Sequence, residues 1–164
     1  MGRDDATGVL QSDVPTIGRI IIADTCVAEG ADWLAQHEPR FATALQQVGP
    51  LPLRRKPDGF AQLLSAIVSQ QVSVASANAI WARLKAAGLT GPRKISWASD
   101  DDLRAAGLSR QKIRYARALS EARIDYKALR SLPDADVIAT LVQVPGIGVW
   151  TAEIYAMFSL GRAD

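Results

Sequence analysis

The stretch Leu141-Val142-Gln143-Val144-Pro145-Gly146-Ile147-Gly148-Val149-Trp150-Thr151-Ala152 decides how this chain is read. One helix ends, a Pro-Gly-Ile-Gly turn follows, and a second helix begins. Gly146 and Gly148 remove side chains where the backbone must come close to something. A helix beginning at such a turn presents unpaired N–H groups and the positive end of its dipole, which suits an anion. A DNA phosphate is such an anion, and contacts of that kind fix position rather than sequence. The same glycines also fit an ordinary helical hairpin with a capped turn. They do not make a dinucleotide-binding fingerprint, because a helix and not a strand precedes them.

Outward from this turn the chain reads as helix almost throughout. Phe60, Leu63, Leu64, Ile67 and Val68 recur on one helical face. Ser73 is a candidate cap for a helix that ends at Ala87-Gly88. Ser99 with Asp102 resembles a capping box, and Ser109 opens a further helix to about Ala122. Pro133 fits a first helical turn, with Asp134 and Asp136 favouring the helix dipole. Helices are also expected over 27–37, 39–48 and 148–160. Residues 49–57 form a Pro-rich connection that carries Arg54-Arg55-Lys56. The only strand candidate is 19–23, with Ile20, Ile21 and Ile22. The expected organisation is a flexible tail over 1–19 and one all-α domain over 20–164.

Composition sets the outer limits. The chain has 164 residues, 48% of them hydrophobic, enough for a core and too many for a disordered polypeptide. No apolar run approaches the length of a bilayer span. The start lacks an apolar secretory segment, which points to a cytoplasmic protein. A single cysteine, Cys26, excludes an internal disulfide and an all-cysteine metal centre within the chain. His37 is equally alone, so no zinc site is expected. The net charge of +2 does not by itself announce a nucleic-acid partner. Arg110, Arg114 and Arg117 fall on one helical face beside Lys112, either as a phosphate-tracking surface or as a solvated face.

The hairpin string resembles the helix-hairpin-helix motif of the DNA glycosylase superfamily that includes endonuclease III and the 3-methyladenine glycosylases. Ile67-Val68-Ser69-Gln70-Gln71-Val72-Ser73 is similar to that family's segment entering the minor groove. Gly161-Arg162-Ala163-Asp164 looks like the approach to its catalytic loop. The resemblance implies an all-α helix-hairpin-helix glycosylase fold, incomplete at its C-terminus. It assigns DNA contacts to Gly146, Gly148 and Thr151 of the hairpin. Gln71 takes the place of the wedge that fills the gap left by a flipped base. Such wedges are usually apolar, and Gln71 departs from that. The backbone carbonyls of Val142, Val144 and Ile147 would hold a monovalent cation, with no other cofactor required.

Bifunctional members of the family carry a lysine two residues after the second hairpin glycine, and it attacks the sugar as an imine-forming nucleophile. Here that position is Trp150, so this route to strand cleavage is closed. An aromatic face attracts a cationic alkylated purine such as 3-methyladenine by about 0.5–2 kcal/mol. Trp150 therefore resembles the pocket aromatic of the alkyl-base branch, with Tyr155 one turn on as a further pocket candidate. Either ring could instead pack the core. The family's catalytic aspartate lies beyond Asp164, so no catalytic residue is assigned within the chain, and the chain by itself is expected to be inactive. The apolar faces of 60–68 and 148–160 are expected to lack partners for the same reason. The expected partner is damaged double-stranded DNA, bound by a monomer without a nucleotide cofactor. The alternative is a helix-hairpin-helix module that grips DNA without cutting a bond.

Overall fold

The computed structural model describes residues 17–163. Most of the tail expected over 1–19, and Asp164, lie outside the described residues. Ten α-helices follow in order. They are α1 Asp24–His37, α2 Pro39–Val48, α3 Phe60–Ser69, α4 Val74–Ala86, α5 Pro92–Trp97, α6 Asp100–Ala105, α7 Arg110–Glu121, α8 Tyr126–Leu129, α9 Asp134–Val142 and α10 Val149–Tyr155. A π-helical turn, Ala156–Leu160, continues α10. Among the described residues the strand expected over 19–23 is reduced to one bridge, Ile20 with Arg162. Ile21 donates its N–H to the Gly161 carbonyl at 2.7 Å. Three consecutive isoleucines favour extended backbone, but the segment finds one turn to pair with and no second strand.

Local chemistry explains the helix starts. The Ser73 hydroxyl accepts from the Ser76 N–H. Ser99 and Asp102 form both halves of a capping box. Ser109 accepts from the Lys112 N–H. Each cap satisfies a backbone donor that the helix cannot. Pro133 is the residue before α9 rather than its first, and Asp134 and Asp136 occupy the first turn. Two short helices were not legible in the sequence. Six-residue α5 starts at Pro92, behind Gly91, and buries only Ile95. Four-residue α8 is capped by Asp125, whose carboxylate accepts from the N–H groups of Lys127 and Ala128. Neither is long enough to show an apolar period.

The core is built round α3. Leu63, Leu64, Ile67 and Val68 are completely buried, and α3 packs against α4, α7 and α10. This corrects the expectation that the face of 60–68 lacks a partner: α4 and α7 cover it from within the chain. Each such side chain contributes about 1.5–3 kcal/mol on burial. The face of 148–160 is also partnered, contrary to expectation: Ala152, Tyr155, Ala156 and Leu160 are buried, with α10 packed on α3 and α9. Only Val149 and Trp150 of α10 and Met157 of the π-helical turn stay exposed among its large apolar residues. The pair α1 and α2 packs mainly on itself. It is tied to the rest through the Pro-rich connection, where the Leu53 N–H donates to Asp24 and Arg55 donates to the carbonyls of Ile21 and Ser159. The basic tripeptide is thus partly structural. Arg162 is 2% exposed. It pairs with Asp134 at 3.2 Å and donates to the carbonyls of Leu129, Arg130 and Leu132. That charge is buried only because α8 and the start of α9 surround it with acceptors.

Candidate nucleic-acid interface

The hairpin turn is closed by two short backbone bonds, Val144 N–H to Leu141 O at 3.1 Å and Ile147 N–H to Val144 O at 3.0 Å. Its two glycines do different work. Gly146 has φ of 92°, where a side chain is strained. A Cβ there would also lie 2.4–2.5 Å from ring carbons of Tyr115 on α7. Its fold requires glycine. Gly148 has an ordinary φ of −88°, and a Cβ there would meet nothing within 4 Å. Nothing inside the described chain demands glycine at 148. Just beyond it, the N–H groups of Gly148, Val149, Trp150 and Thr151 find no acceptor among the described residues; Ala152 N–H is the first to bond, to the Gly148 carbonyl. These unpaired donors lie beside a bare Cα, as an approaching oxyanion would need.

The turn between α3 and α4 stands opposite. Gln71 is exposed and adopts φ of 56°, one of two non-glycine residues among those described with positive φ. Such a conformation costs a residue with a Cβ about 1–2 kcal/mol, and strain of this kind collects at functional turns. Gln70 Nε2 donates to the Gly146 carbonyl at 2.8 Å. Lys112 Nζ donates to the Val68 carbonyl at 2.6 Å, and desolvation holds its pKa below the usual lysine value. Gln70, Gln71, Lys112, Tyr115, Gly146 and Gly148 line one groove of about 630 Å³. Of these, Gln71, Lys112, Gly146 and Gly148 carry a signal in the sequence, whereas Tyr115 and the partner of Gln70 carry none, because both meet Gly146 only through the tertiary fold.

The remaining candidates are placed differently. Trp150 is 71% exposed, which removes core packing as its role in this chain. Thr151 is buried at the helix start. Tyr155 is 4% exposed and belongs to the core cluster. Its hydroxyl accepts the Gly59 N–H at 2.8 Å. The structure therefore places Tyr155 beneath the start of α3, not on an open pocket wall. Arg117 turns inward. It pairs with Asp100 at 2.8 Å and donates to the carbonyls of Ile95, Ser96 and Ala98, capping α5. Arg110 and Arg114 stay exposed, so the expected three-arginine face is a two-arginine face.

Burial lifts the Tyr155 phenol to about 12, and burial also raises that of Tyr126. Both groups ionise near pH 10 once unfolded. Their contribution to stability is therefore full below pH 10 and is lost as pH rises towards 12. A melting series from pH 8 to 12 should show a steady fall above pH 10. Tyr155→Phe should melt lower at pH 8, having lost the hydroxyl that accepts the Gly59 N–H, but fall less steeply above pH 10. An unchanged alkaline slope would contradict this placement.

The carbonyls of Val142 and Ile147 accept no N–H among the described residues, and Val144 accepts only that of Ile147. These three carbonyls keep spare lone pairs along the turn between α9 and α10. No cluster of His, Cys, Asp or Glu able to hold a metal occurs among the described residues. No helix there is long and apolar enough to cross a membrane.

Residues 64–159 match the family model described as HhH-GPD superfamily base excision DNA repair protein. The chain belongs to this superfamily. DNA-3-methyladenine glycosylase 1 of Schizosaccharomyces pombe is 33% identical over 118 residues, 66% of this chain and 52% of that protein. The chain thus spans about half the length of that relative. Among solved structures, the DNA-3-methyladenine glycosidase of Bacillus halodurans superposes with a TM-score of 0.69 at 35% identity, covering 90% of this chain and 70% of that one. The Schizosaccharomyces pombe 3-methyladenine DNA glycosylase Mag1, solved in complex with abasic DNA, superposes with a TM-score of 0.63 at 31% identity, covering 73% and 64%. The HhH-GPD match covers α4 to α10 entirely and enters α3 at Leu64, so the groove lies within it.

Proposed function

We propose that the protein is a monofunctional DNA glycosylase that removes alkylated bases of the 3-methyladenine type from duplex DNA. The observation that carries this is the hairpin's second helix. It starts at a glycine its own fold does not require, opens with unpaired N–H groups, and presents an exposed indole two residues on. The N–H groups would receive a backbone phosphate. A cation held by Val142, Val144 and Ile147 would add positive potential beside that phosphate. Gln71, on its strained turn, would enter the stack as the base leaves it, and Trp150 would face the extruded base. A cationic alkylated base is already an activated leaving group, so what chemistry remains is water attack on an oxocarbenium-like sugar beside an anion. We take that anion to be the aspartate that the resemblance implies for the family's catalytic loop.

Methylated duplex incubated with a protein that also carries the family's catalytic loop should release free 3-methyladenine while the strand stays intact. Borohydride should trap no protein–DNA adduct, because an indole forms no imine. A trapped adduct would overturn the monofunctional reading.

A further inference from the structure

We propose that Gln70 is a positioning residue that locks the turn carrying Gln71 onto the hairpin, so that binding a phosphate and extruding a base are one mechanical event. This rests on the glycosylase reading above and deepens it. Gln70 and Gly146 are 76 positions apart, yet the carboxamide donates directly to the hairpin carbonyl at 2.8 Å. A peptide carbonyl only accepts, so the interaction demands the amide's NH2. The receiving peptide is itself fixed. Gly146 sits against the Tyr115 ring, and the Tyr115 hydroxyl accepts from Gln111 at 2.6 Å. From α7 as well, Lys112 holds the end of α3 through the Val68 carbonyl.

The turn needs such support. Its next residue, Gln71, is left-handed and exposed, so nothing in its own surroundings compensates the strain. Strained backbone persists only where neighbouring structure over-determines it. Gln70 supplies that from the one element that would also meet the DNA backbone. Hairpin and wedge turn then move as a unit, and a phosphate seated at Gly148 fixes how far Gln71 reaches into the duplex.

The test uses a duplex with 2-aminopurine at the target position, whose fluorescence rises on unstacking, read at protein concentrations that saturate each variant. Wild type should raise the signal, and Gln71→Ala should reduce the rise. Gln70→Ala and Gln70→Glu should each lower it about five-fold, the population change expected for one lost hydrogen bond. Gln70→Glu keeps the side-chain length but exchanges the donor for a charged acceptor, and Gln70→Ala loses the donor without adding charge, so a fall in both separates the bond from packing and from charge. The double variant Gln70→Ala/Gln71→Ala should fall no further than Gln71→Ala alone, because Gln70 acts through Gln71. A full signal from either single Gln70 variant, or losses that add in the double variant, would overturn the proposal. No signal from wild type would overturn the extrusion reading itself.

Discussion

In a protein that also carries the family's catalytic loop, Trp150→Ala should lower the rate of 3-methyladenine release by between about five-fold and a hundred-fold, since stacking on a base is worth about 1–3 kcal/mol by alanine substitution. Affinity for undamaged duplex should change far less, because no base is extruded there for the ring to meet. The indole is 71% exposed, so its loss should move the melting temperature little. That separates recognition from folding. Single-turnover release measured by chromatography, with a melting curve of the same preparation, checks both halves. Equal rates for the two proteins would remove Trp150 from the pocket.

Gly148→Asp should weaken duplex binding by at least about ten-fold at low salt, because a carboxylate would stand where the phosphate is received. The fold should tolerate it: φ at 148 is ordinary and the space is open. Gly146→Ala is the opposite case. It meets the Tyr115 ring and a left-handed backbone, and should cost about 1–3 kcal/mol of stability as strain. A salt titration of DNA binding together with thermal melting distinguishes them. Gly148→Asp binding as wild type does, while folded, would count against the hairpin as the DNA grip.

The fold was largely legible because its punctuation is local. Serine caps at 73, 99 and 109 and glycine stops at 88 and 107 act within one turn of chain. What stayed hidden depends on distant partners. Arg110, Arg114 and Arg117 share a helical spacing, yet Arg117 is drawn inward by the carbonyls of α5 and by Asp100. The π-turn at Ala156–Leu160 has no sequence signature of its own. At the candidate site, glycine spacing marks Gly146 and Gly148 but cannot say that the first serves Tyr115 and the second serves nothing among the described residues. Helical spacing left Tyr155 open between the pocket and the core, and the hydroxyl's acceptance of the Gly59 N–H, 96 positions away, settles it in the core.

The most direct test compares the affinity of the chain for a duplex with one abasic-site analogue and for the same duplex undamaged, across several salt concentrations. An abasic position has no base to unstack, so the cost of extrusion, a few kcal/mol, disappears. Binding should be tighter to the abasic duplex by about ten-fold or more, with both affinities falling linearly in log salt as counterions are released. Equal affinity for the two duplexes would contradict damage recognition by base extrusion. It would leave the groove between Gln71 and Gly148 as a grip for undistorted DNA.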